Sequence, residues 1–361
     1  MTRSRRHFPG EIEKALDIVA PGNELREGIE NIMRAQNGAL IVISEPEKLE
    51  EMGIVSGGMK IEVEFAPMRL YELAKMDGAI VVSPNLQTIV YANVHLNPDP
   101  TIESEETGMR HRAANRTATQ TGDLVIAVSE RRRVVSLYQG AYGPHVLEDI
   151  GVVLNKANSA LATLDKFTRR LRDEARLLTV HEYDGVVTLR EVVGAIGTFE
   201  YSVRIAEEIE AYIHELGSEG RLVEMQLGEA FYRVPNQYDA LLRDYVEEGV
   251  DASEVRAKLK KLSASELSES MEITQLLGYG SVGQIEDYFV KPRGFRQLAQ
   301  VPRLPRKVSQ NLVREFGSLD ALLEATEDEL DDVDGVGHAR ARAIQRVLER
   351  QRTIEAGEIP Q

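Results

Sequence analysis

The chain has 361 residues, of which 42% are hydrophobic and none is cysteine. The length suits two or three domains of ordinary globular composition, while the lack of cysteine excludes disulfides, thiolate metal sites and cysteine nucleophiles. The formal net charge of −16 argues against indiscriminate attraction to nucleic acid. The basic opening 1–6 is followed by Pro9 and Gly10, so no signal peptide is predicted. Since no run approaches the roughly 18 apolar residues of a membrane span, we expect a cytoplasmic protein without a membrane partner.

The first part of the chain, residues 1–148, alternates strand and helix patterns. Short apolar runs bounded by turn residues predict strands, and apolar spacings of three and four predict helices. The predicted strands cover 39–43, 61–65, 79–82, 88–94, 124–128 and 134–138, and the predicted helices cover 24–37, 67–76 and 110–120. This pattern is typical of an α/β domain with a mixed sheet.

The second part, residues 149–290, shows helical spacing almost throughout. A long seam predicts an amphipathic helix, with Leu154, Ala157, Leu161, Leu164, Thr168, Leu171, Ala175 and Leu178 on one side. Further helical patterns cover 191–216, 237–247 and 253–276. We interpret this part as an all-α spine or scaffold. The seam can pack within the chain or against another subunit, and both alternatives stay open at this stage.

The third part, residues 291–361, predicts short helices punctuated by proline and glycine. Seven basic residues and no acidic residue lie between Lys291 and Arg314, and five arginines face one glutamate between Arg340 and Arg352. The intervening segment 315–334 is strongly acidic. An acidic protein with two basic stripes can still hold a phosphate backbone locally.

Neither of the two common glycine-rich patterns for nucleotide binding supports a nucleotide site in this chain. The chain has no P-loop sequence. A formal Gly-x-Gly-x-x-Gly begins at Gly278 and ends at Gly283, which would suit a nicotinamide oxidoreductase. It follows a predicted helix instead of a strand, and no acidic residue stands about 20 positions later. We therefore interpret it as an interdomain turn and discard the oxidoreductase.

Three short segments of the first part carry chemistry. Asp77-Gly78 precedes a buried strand, and taken alone it is an ordinary tight turn. The basic run 110–112, Arg-His-Arg, starts a predicted helix, where free N–H groups and the helix dipole attract phosphate. Arginine is unfavourable there without an anion, although an exposed basic turn is the simpler interpretation. Ser129-Glu130 ends a strand, and its hydroxyl and carboxylate suit phosphate and a divalent cation, unless it is only a hairpin turn.

Together these segments resemble the diadenylate cyclase family over roughly residues 23–148. The resemblance is carried by Asp77-Gly78-Ala79, by 95–100 (HLNPDP), by 106–112 (ETGMRHR) and by Val128-Ser129-Glu130. The helical middle and the tail extend it over the full length to the DNA integrity scanning members of that family. The family normally has Thr at the position of Met109, often Thr or Ser at Ala113, and Glu at Asn115. The loss of a hydroxyl at position 109 predicts altered nucleotide affinity.

The resemblance implies an enzyme that joins two ATP molecules into cyclic di-AMP and pyrophosphate, with Mg²⁺ or Mn²⁺ as cofactor. Asp77 is implied as the catalytic residue, and Asp77 and Glu130 as metal ligands. The implied nucleotide-binding residues are Gly78, Ala79, Leu96, Met109, Arg110, His111, Arg112, Ala113, Ser129 and Glu130. The family assembles as a homo-octamer with its cyclase heads apposed, and branched DNA is its second partner. Its implied role is to scan DNA, with DNA binding slowing the cyclase.

The tail carries a helix-hairpin-helix pattern. Val333-Asp334-Gly335-Val336-Gly337 places a hydrophobic residue between two glycines, which let a backbone approach phosphate closely. Residues 301–308 (VPRLPRKV) look like a degenerate first hairpin with a basic loop. The predicted DNA-binding residues are Arg303, Arg306, Lys307, Gly335, Val336, Gly337, Arg340 and Arg342. A packing hairpin is the alternative, and no base-reading pattern is visible.

Two functions therefore remain. The first is a diadenylate cyclase coupled to scanning of branched or damaged DNA without sequence preference. The second is a junction-binding protein whose first domain only senses nucleotide, which Met109 favours.

Overall fold

The computed structural model describes residues 10–131, 134–280 and 285–355. The polypeptide divides into two compact units. The first comprises residues 1–160 and 208–225, and the second comprises residues 161–207 and 226–361. The division falls within three helices, so neither unit is one continuous stretch of chain.

The first unit is built on one mixed β-sheet. Eight strands form it within the described residues: β1 (Ala39–Ile43), β2 (Val55–Ser56), β3 (Met59–Glu64), β4 (Ala79–Val82), β5 (Thr88–Leu96), β6 (Leu124–Ser129), β7 (Val134–Gln139) and β8 (Tyr142–Leu147). Their order is β2-β5-β4-β1-β6-β7-β8, and β3 pairs with β5. Strands β1 and β4 run parallel, whereas the other pairs are antiparallel. The predicted α/β domain with a mixed sheet is confirmed.

Helices cover both faces of this sheet. They are α1 (Gly10–Val19), α2 (Glu24–Arg34), α3 (Pro46–Glu51), α4 (Pro67–Leu73) and α5 (Met109–Thr121). Ile41, Ile80 and Ile126 face the core that contains side chains of α1, α2 and α4. Val42 and Val81 face the opposite core, with Leu49 of α3 and Ala114 and Ala118 of α5. The central strands are therefore buried on both faces, which is why β1 is a continuous apolar run.

The predicted strands and helices of this unit are confirmed with shifts of a few residues at their ends, but four elements were not predicted. Helices α1 and α3 and strands β2 and β8 are short or weakly patterned. Strand β2 has only two residues, and β8 pairs with β7 although Gly and Pro interrupt its sequence. Such segments carry too little periodicity to stand out from loops.

The helical middle begins with α6 (Ile150–Asp184) and α7 (Leu189–Leu216). A 3₁₀ turn (Gly217–Gly220) and five helices follow: α8 (Arg221–Phe231), α9 (Val234–Tyr245), α10 (Ala252–Leu259), α11 (Ala264–Ser268) and α12 (Ser270–Leu276). Helix α8 was not predicted. Gly278 follows α12 with a φ of +104°, as a turn glycine would, whereas Gly283 lies outside the described residues.

The helical pattern predicted over 253–276 is confirmed, but this stretch forms three separate helices. Asp251 caps the first of them by accepting a hydrogen bond from the Ser253 N–H. Ser263 and Glu266 form a capping box at the second. The Asp251 and Ser263 side chains bond to the backbone, start new helices here and interrupt the apolar spacing.

The seam of α6 packs within the chain. Leu164, Leu171 and Leu178 are buried in the single subunit, and Thr168 lies buried between them. Leu164 is fully inaccessible, so a charged residue there would disturb the fold of the subunit itself.

Up to residue 355, where its description ends, the C-terminal part forms five helices: α13 (Phe295–Leu298), α14 (Arg306–Phe316), α15 (Leu319–Glu324), α16 (Glu327–Asp331) and α17 (His338–Glu355). They enclose their own core, to which Leu312, Leu330 and Ile344 contribute fully buried side chains. This core lies within the second unit together with most of the helical middle.

A buried polar network joins these helices to the helical middle. Glu182 of α6 accepts hydrogen bonds from the Tyr245 hydroxyl at 2.7 Å and from the Gln297 amide at 2.6 Å, and it pairs with Arg296. Asp244 of α9 accepts the backbone N–H groups of Gly294, Phe295 and Arg296. Arg296, which the sequence placed in a basic stripe, thus has its guanidinium bound in this network, and only 11% of its side chain is exposed.

Asp244 makes the stability of the second unit pH-dependent. Burial and the nearby Glu182 carboxylate raise the pKa of Asp244 to about 7, against about 3.9 in an unfolded chain. The folded state therefore holds a proton that the unfolded chain has lost, and its free energy of unfolding should fall as pH rises from about 4 to 7. We expect Asp244→Asn to remove this part of the pH dependence.

Urea unfolding followed by circular dichroism at pH 5 and pH 8 measures this effect, since the chain contains no tryptophan. Asp251→Asn is the matched control, because Asp251 also caps a helix but is exposed. The prediction would be contradicted if the free energies of unfolding of the wild type and of Asp244→Asn differed by the same amount at both pH values.

None of the helices in the described part of the chain is both long and apolar enough to span a bilayer.

Candidate functional site

Three segments singled out in the sequence meet at one edge of the sheet. Strand β1 pairs Ile41 with Ile80 of β4 and Ala39 with Val128 of β6. When these registers are extended to the ends of the strands, Gly38 lies between Asp77 on one side and Ser129 on the other. Because neighbouring strands lie about 4.8 Å apart, Asp77 and Ser129 stand roughly 10 Å apart across this row. Glu130 directly follows Ser129 and is exposed.

Gly78 fits a β-bulge in the neighbouring strand. Between β4 and β5 the register shifts after the pair Ala79–Val94, and Asn93 adopts a left-handed backbone with a φ of +55°. A Cβ atom at Gly78 would lie only 2.5 Å from the Asn93 Cα. Glycine is therefore required beside the bulge, and the bulge helps to fix the turn that carries Asp77.

Helix α5 presents its N-terminus and three basic side chains at the same edge. Gly108 is the N-cap in extended conformation, without a side-chain cap and with no acidic residue in the first turn. The first-turn N–H groups are therefore not bonded by a capping side chain. Met109, the first residue of the helix, projects into solvent with 88% of its surface exposed.

Arg110 links the helix to the row. Its guanidinium Nη2 lies 3.7 Å from the Asp77 Oδ1, and the Asp77 side chain is fully exposed. The guanidinium lies directly over Gly38, where a Cβ would come within 2.1 Å of Nη1. The lack of a side chain at Gly38 thus leaves room for the Arg110 side chain to reach Asp77. Gly38 was not predicted as a site residue, although Asn37-Gly38-Ala39 repeats the spacing of Asp77-Gly78-Ala79 before a parallel strand.

His111 and Arg112 are held by different groups. The His111 Nδ1 lies 2.9 Å from the Tyr138 hydroxyl, which in turn donates to the Glu106 Oε1 at 2.9 Å. The Arg112 Nε donates to the Glu106 carbonyl at 3.1 Å. Neither Tyr138 nor Glu106 was predicted as a site residue. Tyr138 sits in an apolar strand whose sequence resembles any core strand.

The small and apolar site residues lie on the α5 side of the sheet. Ala79 is buried in that core, and Leu96 and Ala113 pack against its border while remaining partly exposed. These positions suit the wall of a pocket next to the α5 N-terminus.

The carboxylates of this region fit a metal that arrives together with a nucleotide. In the parts of the chain that the structure describes, no group of three or more metal-ligating side chains exists. Asp77 and Glu130 are both exposed carboxylates at the same sheet edge. Mg²⁺ is commonly held by one or two carboxylates and the substrate phosphates, and it does not require an all-protein cage. The donor set fits Mg²⁺ or Mn²⁺ in this way.

A second candidate site lies at the two hairpins of the C-terminal part. In the second hairpin Gly335 has a φ of +88°, the Val336 N–H donates to the Val333 carbonyl, and Gly337 accepts the first bonds of α17 from Arg340 and Ala341. Gly337 is exposed, and a Cβ atom added to it would meet no other atom within 4 Å. Val336 is buried in the core, so its side chain holds the hairpin and does not face a ligand.

The degenerate first hairpin has the same backbone. Leu304 N–H bonds to the Val301 carbonyl, and Pro305 accepts the first bonds of α14 from Val308 and Ser309. Arg303 occupies the position of Gly335 and takes its left-handed conformation with a φ of +58°. An arginine in this conformation is strained by about 1 kcal/mol relative to glycine.

The predicted basic residues of the hairpins are exposed, but several have partners. Arg306 pairs with Asp239 of α9, Arg340 donates to the Gly335 carbonyl at 2.5 Å, and Arg342 lies 3.2 Å from Glu327. Exposed pairs of this kind are weak, so a phosphate can compete for these guanidinium groups.

Three family models match consecutive parts of the chain. Residues 26–142 match the DAC model, described as DisA bacterial checkpoint controller nucleotide-binding. Residues 147–286 match the DisA bacterial checkpoint controller linker region, and residues 301–356 match a helix-hairpin-helix motif.

Curated relatives match nearly the whole chain. The DNA integrity scanning protein DisA of Clostridium tetani is 43% identical over 97% of this chain and 96% of its own length. The chain belongs to the DisA family. The DisA of Carboxydothermus hydrogenoformans is 46% identical over 94% of this chain and 96% of its own, and that of Bacillus subtilis is 43% identical over 94% of each.

Membership of the DisA family confirms the predicted resemblance and the order of an α/β domain, a helical linker and a helix-hairpin-helix part. The DAC match also confirms the prediction of an enzyme, a nucleotidyltransferase of the diadenylate cyclase class.

Proposed function

We propose that this DisA-family chain condenses two ATP molecules into cyclic di-AMP, and that its helix-hairpin-helix part binds branched DNA. The observation that carries the cyclase proposal is the meeting of Asp77, Gly38 and Ser129 in one row beneath Arg110 at the N-terminus of α5. A carboxylate beside a phosphate-binding helix end is what nucleotidyl transfer requires. We divide the chain into a cyclase domain (1–148), a helical spine (149–290) and a DNA-binding domain (291–361).

In the proposed reaction each ribose 3′-oxygen attacks the α-phosphorus of the facing ATP. A new P–O bond forms, the bond to pyrophosphate breaks, and the 3′-hydroxyl proton passes to the Asp77 carboxylate. Arg110, His111 and Arg112 neutralise the triphosphate and the charge that develops during transfer. The same step on the second ATP closes the ring.

The remaining predicted residues shape the nucleotide pocket. Gly78, Ala79, Leu96 and Ala113 line it, and Ser129 binds phosphate. Asp77 and Glu130 would hold Mg²⁺ or Mn²⁺, which when bound neutralises phosphate charge. Met109 offers a backbone N–H in place of a threonine hydroxyl, so we expect ATP affinity to change more than catalysis.

One chain supplies one Asp77 and one Arg-His-Arg run, so it carries half of a two-ATP site. Two cyclase domains must therefore face each other, and we propose a homo-octamer. Since positioning supplies much of the catalysis in phosphoryl transfer, a lone subunit with bound ATP should be nearly inert. Light scattering and a product assay on one diluted sample test this. Full specific activity in a stable monomer would contradict it.

For the hairpins we propose contacts to the phosphate backbone without base readout. The exposed Gly337 and the exposed arginines of both hairpins support this proposal. ATP and chromosomal DNA are both cytoplasmic in bacteria, so we place the protein there.

Arg303→Gly should separate stability from DNA binding. Glycine relieves the left-handed strain, so the free energy of unfolding should not fall. Affinity for a four-way junction should drop about tenfold. The slope of log affinity against log salt concentration should decrease by the amount expected for roughly one phosphate contact. Junction titrations at several salt concentrations measure both. Unchanged affinity would remove Arg303 from the interface.

The alternative is a junction-binding protein whose first domain only senses nucleotide, and the lack of a side-chain hydroxyl at Met109 favours it. Incubation with ATP and Mn²⁺ followed by identification of the nucleotide product decides between them. Cyclic di-AMP supports the cyclase, and bound but unconverted ATP supports the sensor.

A further inference from the structure

Tyr138 connects the buried sheet to the basic helix end. Its side chain is 1% exposed on β7, and its ring packs edge-on against the His111 ring at a centroid distance of 6.3 Å. Its hydroxyl lies between two polar partners, with the Glu106 Oε1 and the His111 Nδ1 each 2.9 Å away. A tyrosine hydroxyl in an apolar core needs such partners.

The proton count of this chain of hydrogen bonds shows that His111 carries a proton on Nδ1. The hydroxyl has one proton, and a carboxylate can only accept. Tyr138 therefore donates to Glu106, and its oxygen accepts a hydrogen bond from His111. The Nδ1 of His111 must carry a proton, and the ring plane is set by this bond.

Glu106 restrains two of the three basic residues at once. Its carboxylate accepts a hydrogen bond from the Tyr138 hydroxyl, and its backbone carbonyl accepts one from the Arg112 Nε at 3.1 Å. The segment before α5 and the first turn of α5 are thereby tied to β7. Arg110 is not part of this arrangement, because it reaches Asp77 over Gly38.

We propose that Tyr138 and Glu106 are positioning residues that hold the Nδ1 proton and fix the ring orientation of His111 at the triphosphate. This inference rests on the proposed cyclase function and names residues that act in it through His111 without touching the nucleotide. A group that stabilises charge only during transfer must be held in place before the reaction. Loss of its support should therefore lower kcat more than it changes KM.

Tyr138→Phe in the full-length protein tests the proposal, since it removes only the hydroxyl oxygen from the core. We expect kcat for cyclic di-AMP formation to fall at least about tenfold, with the KM for ATP changed less than about threefold. Tyr91→Phe is the matched control: Tyr91 is also buried in this domain, and its hydroxyl also bonds a carboxylate, that of Glu50. The control should retain wild-type kcat, and circular dichroism should show all variants folded.

A double-mutant cycle with His111→Ala separates positioning from mere packing. If Tyr138 acts through His111, Tyr138→Phe should have no further effect on kcat or on ATP affinity in the His111→Ala background. An equal loss in both backgrounds, or wild-type kcat in folded Tyr138→Phe, would overturn the positioning role. Wild-type activity of His111→Ala alone would instead contradict the role of His111 in the proposed function.

Discussion

Asp77→Asn should reduce cyclic di-AMP formation about 10²–10⁴-fold, the usual contribution of a positioned general base. Asparagine has nearly the same shape but cannot take the 3′-hydroxyl proton. The Asp77 side chain is fully exposed, and its described ion-pair partner is Arg110 at 3.7 Å. Because turns accept Asn as well as Asp, the fold should be unchanged.

The measurement is the initial rate of product formation with ATP and Mn²⁺, alongside circular dichroism. Asp17→Asn is a suitable control, since Asp17 is an exposed aspartate of the same unit that contacts His214. It should retain full activity. A folded Asp77→Asn protein with wild-type rate would remove Asp77 from the mechanism.

Gly337→Val should weaken binding to a four-way junction at least about tenfold and leave ATP turnover without DNA intact. A side chain at this exposed position would keep a phosphate away from the free N–H groups at the start of α17. The structure favours Gly337 over Gly335 as the test position. Gly335 has a φ of +88°, and a Cβ there would lie 3.0 Å from the Val308 side chain, so its substitution would also strain the fold.

Valine at Gly337 costs about 1 kcal/mol as an N-cap, too little to unfold the domain. Gly228→Val is the matched control, because Gly228 of α8 is also exposed and has open space around it. Fluorescence titration with labelled junction DNA measures both variants. Undiminished binding by Gly337→Val would contradict the hairpin assignment.

The sheet core was predictable because its central strands are unbroken apolar runs. The runs 39–43 and 79–82 are apolar throughout, and such runs are buried on both faces. The division of 252–276 into three helices was not predictable, because the caps at Asp251 and Ser263 act through local hydrogen bonds that apolar periodicity does not show.

The site was only partly predictable for a similar reason. Asp77, Arg110 and Ser129 were found from short motifs, but strand register brings them to one edge, and a sequence does not display register. Gly38 is needed because the Arg110 guanidinium passes close to it, and Asn93 because it forms a β-bulge beside Gly78. Tyr138 contributes only its hydroxyl, which lies in an otherwise apolar strand. Arg296 shows the opposite error, since a basic residue in a basic stripe proved to be the partner of a buried glutamate.

One assay tests most directly the proposed synthesis of cyclic di-AMP and the slowing by bound DNA that the family resemblance implies. The full chain is incubated with ATP and Mn²⁺, with and without a four-way junction, and the nucleotide product is identified and timed. The account predicts cyclic di-AMP in the absence of DNA and slower formation when the junction is bound. Absence of cyclic di-AMP, or a rate that saturating junction DNA leaves unchanged, would contradict it.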